Sequence, residues 1–571
     1  MSIIMKNSKT DNEETNNDVV QSCSIAVNSY VNVTNDIQPK HSSENLDKVK
    51  QSIGTSYNGL ALALLGHILF IGYIAAAVRH WHISGTRDIG WENGLGLLII
   101  ISVLYYGFKF LNLLVHLLQL DIILLKNNGS ILKQTKTVFL CIFFTCFFAY
   151  IIIDTQNNRR RLIPLFGLTV FVATGFALSK HPRSVNWNTV TSGLALQICI
   201  GLLAIKWNSG KHIIQVVGRK VNSFFAYAYV GAEVTYGDQL INVYGVFAFK
   251  VLSVLFFMCF FIEILFYYGI IQTIVIRLGW FLQKILGTTP AESVNACASV
   301  FLGMTEAPIL IKPYLSTLTE SEMHAVMMGG FSTVAGTVFA AYTSFGIDAS
   351  YIITAAIMSA PTALSFSKLI FPETEKLVIR DEEITTNKHR NGCNVVDAAC
   401  NGAQFAVQLV GAIIANIIAF VSFVTFVDAV LSWLGSLIGF QEFNFEYVLG
   451  KTLIPVAWML GTDYEECELV AKLIGLKITT NEFIAYKKMG TLISENKLNR
   501  KSEIIATFAL CSFANPGSVG SMIGTLTTLA PTQRSVIVKH IFRAFIGGTV
   551  TTLLTAAIAS LLMSDDHGIH A

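Results

Sequence analysis

Three short stretches place polar, hydrogen-bonding groups where the surrounding chain is apolar. Thr305-Glu306 lies between Gly303 and Pro308, a turn that no continuous helix would tolerate. Glu482 sits in Asn481-Glu482-Phe483. Asn515-Pro516-Gly517-Ser518 breaks an apolar helix over 502–529, because proline removes a donor and glycine permits unusual dihedrals. A carboxylate inside a membrane costs about 2.5–3.5 kcal/mol on insertion scales, so it is retained for binding or for pairing. The pairing alternative would match Glu306 or Glu482 with a lysine such as Lys312 or Lys477. Asn515 and Ser518 could instead cap the break they occupy, and Glu292, after Pro290-Ala291, could cap a half-helix start. Read as a site, the set offers acceptors and donors to a polar ligand.

The elements that must hold these groups are set by composition. Of 571 residues 53% are hydrophobic and only 13% charged, about half the fraction usual in a soluble protein. Mean hydropathy is +0.56. The net charge of +3 is too small for a nucleic-acid footprint. Ten cysteines, most in apolar runs and without CxxC pairs, argue against a disulfide scaffold. The fold class is therefore an all-α polytopic membrane protein. Residues 1–58 read as a polar, disordered tail with no apolar leader near Met1, and Asn32-Val33-Thr34 is a sequon within it. Apolar runs long enough to span occur at 59–79, 93–120, 137–153, 161–178, 189–206 and 240–271. The basic loops between them give no clean alternation, so orientation stays open. A charged loop (371–395) precedes an unusually long apolar stretch, 396–440, which would cross with strong tilt or as a helix plus an interfacial turn.

Two stretches, 287–314 and 450–486, are apolar yet broken by glycine, proline and carboxylates. Each is followed by a run with its own break (329–346 and 512–520) and then by a plain apolar helix (350–370 and 541–563). Hairpin, interrupted helix and plain helix thus recur. Paired interrupted segments in two halves point to a transport site at the bilayer midplane. The expected organisation is an N-terminal extension (59–153), further helices and scaffold (154–286), a first transport repeat (287–370), a scaffold helix (396–440), a second repeat (441–563) and a tail (564–571).

At these clusters the chain resembles the concentrative nucleoside transporter family, eukaryotic type. The resemblance runs through Gly231-Ala232-Glu233-Val234-Thr235-Tyr236-Gly237-Asp238, Gly303-Met304-Thr305-Glu306-Ala307-Pro308 and Ser321-Glu322-Met323-His324-Ala325. It continues through 330–336, Ser359-Ala360-Pro361, Asn481-Glu482-Phe483-Ile484-Ala485-Tyr486 and Phe513-Ala514-Asn515. It implies a multi-pass plasma-membrane homotrimer with an inverted-repeat core, two re-entrant hairpins, two unwound helices and three added N-terminal helices. It further implies an elevator-type symporter whose partners are a nucleoside, a coupling cation and the bilayer, with no cofactor beyond co-transported sodium or protons. Carried over by motif, Met304, Thr305 and Glu306 face the nucleobase, and Glu482, Asn515, Ser518 and Phe513 the ribose. Ser299, Leu302, Thr337 and Val338 fall at the cation positions.

Two departures matter. The family has glutamine where this chain has Met304, and a thioether cannot pair with a base edge. At the cation positions Ser299 replaces an asparagine and Thr337 a serine. Glu263, an acid inside the apolar run FFMCFFIEILFYYG, is then a candidate proton site, through which protons drive or share the coupling. The competing reading is an equilibrative facilitator or channel with Glu306 and Glu482 as pore charges. A membrane enzyme is disfavoured, since no HExxH, nucleophile elbow or paired cysteine site is present. Met304→Gln should shift the ratio of purine to pyrimidine nucleoside uptake, because it restores an amide beside Thr305-Glu306. An unchanged ratio at equal surface expression places Met304 away from the base.

Overall fold

The computed structural model describes residues 66–83, a few positions between 94 and 106, and then 129–375, 393–440 and 443–563. The tail 1–58 with its sequon, most of the expected span 93–120 and the tail 564–571 lie outside the described residues. Two compact units, 1–126 and 127–571, are each described by themselves. In the first, a helix over 66–83 exposes Ile68, Leu69, Ile71 and Tyr73 along its length, as an apolar span would.

The second unit is helical throughout its described residues, and eight of its helices are long and apolar enough to cross a bilayer. Expected spans at 137–153, 161–178 and 189–206 correspond to Gly129–Asp154, Ile163–Ala177 and Trp187–Gly201. Two helices were not legible as apolar runs, because both are amphipathic. Asn208–Tyr236 buries Gly210, Gly218, Phe225, Ala228 and Ala232, and Ile270–Leu286 buries Ile271, Val275, Gly279, Leu282 and Leu286. Each set falls on one helical face, leaving the other to the membrane interface.

From Ser253 onward the same succession of elements occurs twice. An apolar helix (Ser253–Tyr267; Val395–Leu437) ends before a left-handed glycine, Gly269 at φ 73° or Gly439 at φ 79°. Amphipathic helices follow (Ile270–Leu286; Phe445–Thr452 with Ile454–Met459), and again a left-handed glycine stops them, Gly287 or Gly461. Side chains with a Cβ rarely adopt this conformation, so these four positions punctuate both halves. A hairpin comes next: Pro290–Phe301 with the 3-10 arm Ala307–Thr317, and Cys467–Thr479 with Glu482–Ser494. A broken helix and a closing helix complete each half: Glu320–Ser332 with Phe339–Thr343, then Ala349–Ile370; Arg500–Leu510 with Pro516–Leu529, then Arg534–Leu562.

The second hairpin therefore differs from its expected position at 450–486. Pro455 and Gly461 belong to the amphipathic segment and its stop, and the hairpin proper begins at Cys467. In both halves the first arm lies on the amphipathic helix through a glycine. A Cβ on Gly279 would come within 2.6 Å of Val294, and one on Gly475 within 2.8 Å of Leu449.

The 396–440 stretch is one uninterrupted helix, Val395–Leu437, of 43 residues. At 1.5 Å per residue it is about 65 Å long, twice the hydrocarbon thickness, so it must lie strongly tilted. Only 6% of its most apolar window is buried in the monomer, against 94% for Glu320–Thr343. It packs along Ser253–Tyr267, where Gly402 lets the backbones meet: a Cβ there would sit 2.4 Å from the Cys259 carbonyl and 2.9 Å from Glu263 Cγ. At the other end of the chain the closing helix Arg534–Leu562 finishes under the buried Arg161, whose guanidinium donates to the Leu561 and Met563 carbonyls and is held by Asp154 at 2.9 Å.

Glycine to alanine inside a helix normally gains up to about 1 kcal/mol in propensity. Gly411→Ala, with nothing within 4 Å of the new Cβ, should therefore leave the thermal midpoint of the purified protein unchanged or raised. Gly402→Ala on the same helix should lower it by several degrees, since overpacking against backbone costs about 1–3 kcal/mol.

Candidate functional site

The site forms where the two broken helices meet. Thr333 and Phe513 occupy the two breaks, and the Phe513 N–H donates to the Thr333 carbonyl at 3.1 Å. Thr333 Oγ1 in turn donates to the Ser299 carbonyl at 3.0 Å, tying in the first hairpin. In the second break, Asn515 Oδ1 accepts the Ser518 N–H at 2.9 Å and so caps Pro516–Leu529, with Pro516 at the first helical position. Its Nδ2 is left to donate to Glu482 Oε2 at 2.8 Å. One side chain thus caps a helix and grips an acid.

Glu482 opens the second arm of its hairpin, directly after the N-cap Asn481, whose Oδ1 accepts the Ile484 N–H at 3.0 Å. The helix N-terminus favours a negative charge there. The Tyr342 hydroxyl donates to the other carboxylate oxygen, Oε1, at 3.4 Å. Three separate elements therefore converge on one carboxylate with 2% of its surface exposed. The pairing alternative does not hold for it: the hydrogen bonds go to Asn515 and Tyr342, and Lys477 Nζ, though buried, has no hydrogen-bond partner. Glu306 is half-buried at the tip of the first hairpin, where Oε2 accepts the Gly303 N–H at 3.3 Å.

A cavity of about 120 Å³ opens onto both acids. Met304, Thr305, Glu306, Glu482, Phe513, Asn515 and Ser518 all line it, so every residue expected at the nucleobase and the ribose is brought together. Thr337 and Val338 also reach its wall. Ser299 and Leu302 do not line it. Both are buried behind it, Ser299 with its hydroxyl donating to the Asn295 carbonyl at 2.9 Å. That hydroxyl can still accept, or turn its lone pairs to a cation. Glu263 lies outside the cavity, on the helix that packs against Val395–Leu437. Glu292 proves to be a cap: its Oε1 accepts the Thr289 N–H at 2.8 Å, and it forms a buried ion pair with Lys368 at 2.8 Å on the wall of a separate cavity beside Thr189 and Glu373.

Sequence reasoning missed one wall. Leu409, Ala412, Ile413, Asn416 and Phe420 of the long helix face the cavity. Their spacing of three and four residues was the available signal, hidden because the same helix is apolar on its lipid side as well. Tyr342, four residues into the chain after Val338, carried no signal at all.

Comparisons with known proteins agree with this geometry. Family models match over most of the second unit: Na+ dependent nucleoside transporter N-terminus at residues 166–239, nucleoside recognition at 248–349, and Na+ dependent nucleoside transporter C-terminus at 351–560. Sodium/nucleoside cotransporter 1 of Oryctolagus cuniculus is 38% identical over 449 residues, covering 76% of this chain and 68% of that protein. Solute carrier family 28 member 3 of Eptatretus stoutii is 36% identical over 518 residues, covering 87% and 74%. Among solved structures, CNTnw in an inward-facing substrate-bound state aligns with a TM-score of 0.67 at 33% identity, over 70% of this chain and 97% of that one. A CNTnw variant in an outward-facing state scores 0.68 at the same identity, over 71% and 98%. Models, relatives and structures meet on the halves that carry Glu306, Glu482 and Asn515, and the chain belongs to the Na+ dependent nucleoside transporter family.

Proposed function

We propose that this protein is a secondary active symporter that imports nucleosides with a cation, and that the Glu482–Asn515 pair is the grip on the sugar. The observation that carries this reading is that pair's geometry. The carboxylate and the amide come from different elements, sit 2.8 Å apart on the cavity wall, and leave acceptor sites on Glu482 unused. A ribose diol supplies two donors to such a carboxylate, while Ser518 can give or accept. Thr305 and Glu306, at the far hairpin tip, take the polar edge of the base. Ser299 and Thr337 with the carbonyls of Leu302 and Val338 take the sodium ion beside it, joining the first hairpin to the first broken helix.

The hairpins and broken helices would move as the transport body, with Ser253–Tyr267 and Val395–Leu437 as the fixed frame of an elevator. The frame's side of the cavity supports this. Leu409, Ala412, Ile413 and Phe420 offer the ligand no hydrogen bond and Asn416 is the one polar side chain among them, so most of the polar grip travels with the moving body. The apolar outer face of Val395–Leu437, with Ile418, Phe423, Phe426 and Trp433 exposed, suits assembly as a homotrimer in the plasma membrane. An equilibrative facilitator would share the cavity but not the coupling.

Two outcomes test the reading. Glu482→Gln keeps the shape of the side chain and removes its charge. Charge-assisted hydrogen bonds contribute about 1.5–3 kcal/mol, so the apparent affinity for uridine should fall by roughly ten- to a hundredfold at unchanged surface expression. Wild-type kinetics in that variant would refute the assignment. Coupling is read separately, as uptake against a gradient with sodium replaced by choline at pH 7.4 and 5.5. Accumulation should be lost at both. Accumulation that persists at pH 5.5 and disappears in Glu263→Gln would assign the driving ion to protons instead.

A further inference from the structure

The long helix Val395–Leu437 turns one face to the cavity through Leu409, Ile413, Asn416 and Phe420, spaced three or four residues apart. Asn416 is the one polar side chain that this helix brings to the wall. An amide in an apolar span is costly unless something pairs with it. Among the described residues nothing does: Asn416 is half-buried and makes no hydrogen bond to the protein. Its place relative to the sugar grip is fixed by Gly517, in the first turn of Pro516–Leu529. A Cβ on Gly517 would lie 3.3 Å from Asn515 Oδ1, 3.4 Å from the Asn416 amide nitrogen and 3.4 Å from the Phe420 ring. The bare glycine thus lets an amide of the frame stand beside the side chain that holds Glu482. Other polar side chains around the cavity are already engaged. Asn481 Oδ1 accepts the Ile484 N–H, Thr480 Oγ1 donates to the Leu476 carbonyl, and Ser521 Oγ donates to the Gly517 carbonyl at 3.2 Å.

We propose that Asn416 is a further sugar-binding residue, contributed by the frame, and that its amide takes the 5′-hydroxyl of the nucleoside. This rests on the reading of Glu482 and Asn515 as the sugar grip. With the diol held by Glu482, Asn515 and Ser518, the 5′-hydroxyl is the one sugar hydroxyl still to be met. It projects from the ring on the face opposite the diol, so a residue across Gly517 from Asn515 is suited to reach it. A primary hydroxyl and an amide can each give and accept, so the two satisfy one another in either sense. Leu409, Ile413 and Phe420 around the amide keep other donors away and leave the ligand as its partner. The contact differs in kind from the rest of the grip. The diol contacts travel with the moving body, whereas this one is made to the fixed frame and must break when the body leaves it.

The test compares uridine, 5′-deoxyuridine and 3′-deoxyuridine as inhibitors of labelled uridine uptake in cells expressing the full chain. Wild type should bind 5′-deoxyuridine more weakly than uridine by about two- to tenfold, the worth of one neutral hydrogen bond. Asn416→Leu, close in shape and without polar atoms, should weaken uridine by that same factor and leave 5′-deoxyuridine unchanged, so that the two become equal. The penalty for 3′-deoxyuridine should persist in the variant, because Glu482 and Asn515 are intact. A residue that only packs the frame against the moving body would weaken all three alike, and that result overturns the proposal. So does a 5′ penalty that survives in Asn416→Leu, or its absence in wild type. Asn416→Ala is read in the same way; if neither variant reaches the surface, the amide holds the fold and the proposal falls. A wild type indifferent to the 3′-hydroxyl would refute the sugar grip on which this rests, and absence of uridine uptake the transport reading itself.

Discussion

Breaking two helices inside a membrane exposes backbone groups that nothing in the lipid can satisfy, and the fold is arranged around meeting that demand. The Phe513 N–H bonded to the Thr333 carbonyl turns two separate defects into one shared junction. Each break supplies what the other lacks. Irregular backbone at this depth is tolerated only when buried in protein or lining a wet cavity, and here it does both. The near-complete burial of Glu320–Thr343 follows from the same demand: the closing helices Ala349–Ile370 and Arg534–Leu562 pack around it and are themselves largely buried, while Val395–Leu437 stays exposed.

Three of the acids fit this logic, because they also serve the backbone. Glu306 accepts the Gly303 N–H at the tip of its hairpin, Glu292 accepts that of Thr289, and Glu322 that of Thr319. Glu482 stands at a helix N-terminus in the same way but spends its oxygens on Asn515 and Tyr342 instead. The distinction between a capping acid and a binding acid is therefore one of partners. Glu292 is engaged by the ammonium of Lys368 at 2.8 Å, whereas Glu482 and Glu306 face the cavity between the broken helices with no ion-pair partner among the described residues.

Much of this was legible in the sequence, and the part that was not has physical reasons. Thr305-Glu306, Glu482 and Asn515-Pro516-Gly517-Ser518 stood out because polar groups beside helix breakers are expensive in an apolar run, so chance rarely leaves them there. The recurrence of hairpin, broken helix and plain helix followed from the same breakers. Amphipathic helices escaped notice, since Ile270–Leu286 carries its apolar residues on one face and never forms a continuous run. That omission also displaced the second hairpin, whose start looked like Gly450 rather than Cys467. The cavity wall formed by Leu409, Ile413 and Phe420 was masked by its setting. On a helix that is greasy all round, periodicity does not separate the face toward a ligand from the face toward lipid.

The guanidinium of Arg161 has a bearing on how the chain is made. It seals the carbonyl end of Arg534–Leu562, at Leu561 and Met563, some 400 residues later in the sequence. During synthesis the early helices enter the membrane with this cation already in place and only Asp154 to share it. Its carbonyl acceptors at Leu561 and Met563 do not exist until about 400 further residues have been made. A chain that stops before Leu561 thus keeps, among its earlier helices, a guanidinium without these two acceptors.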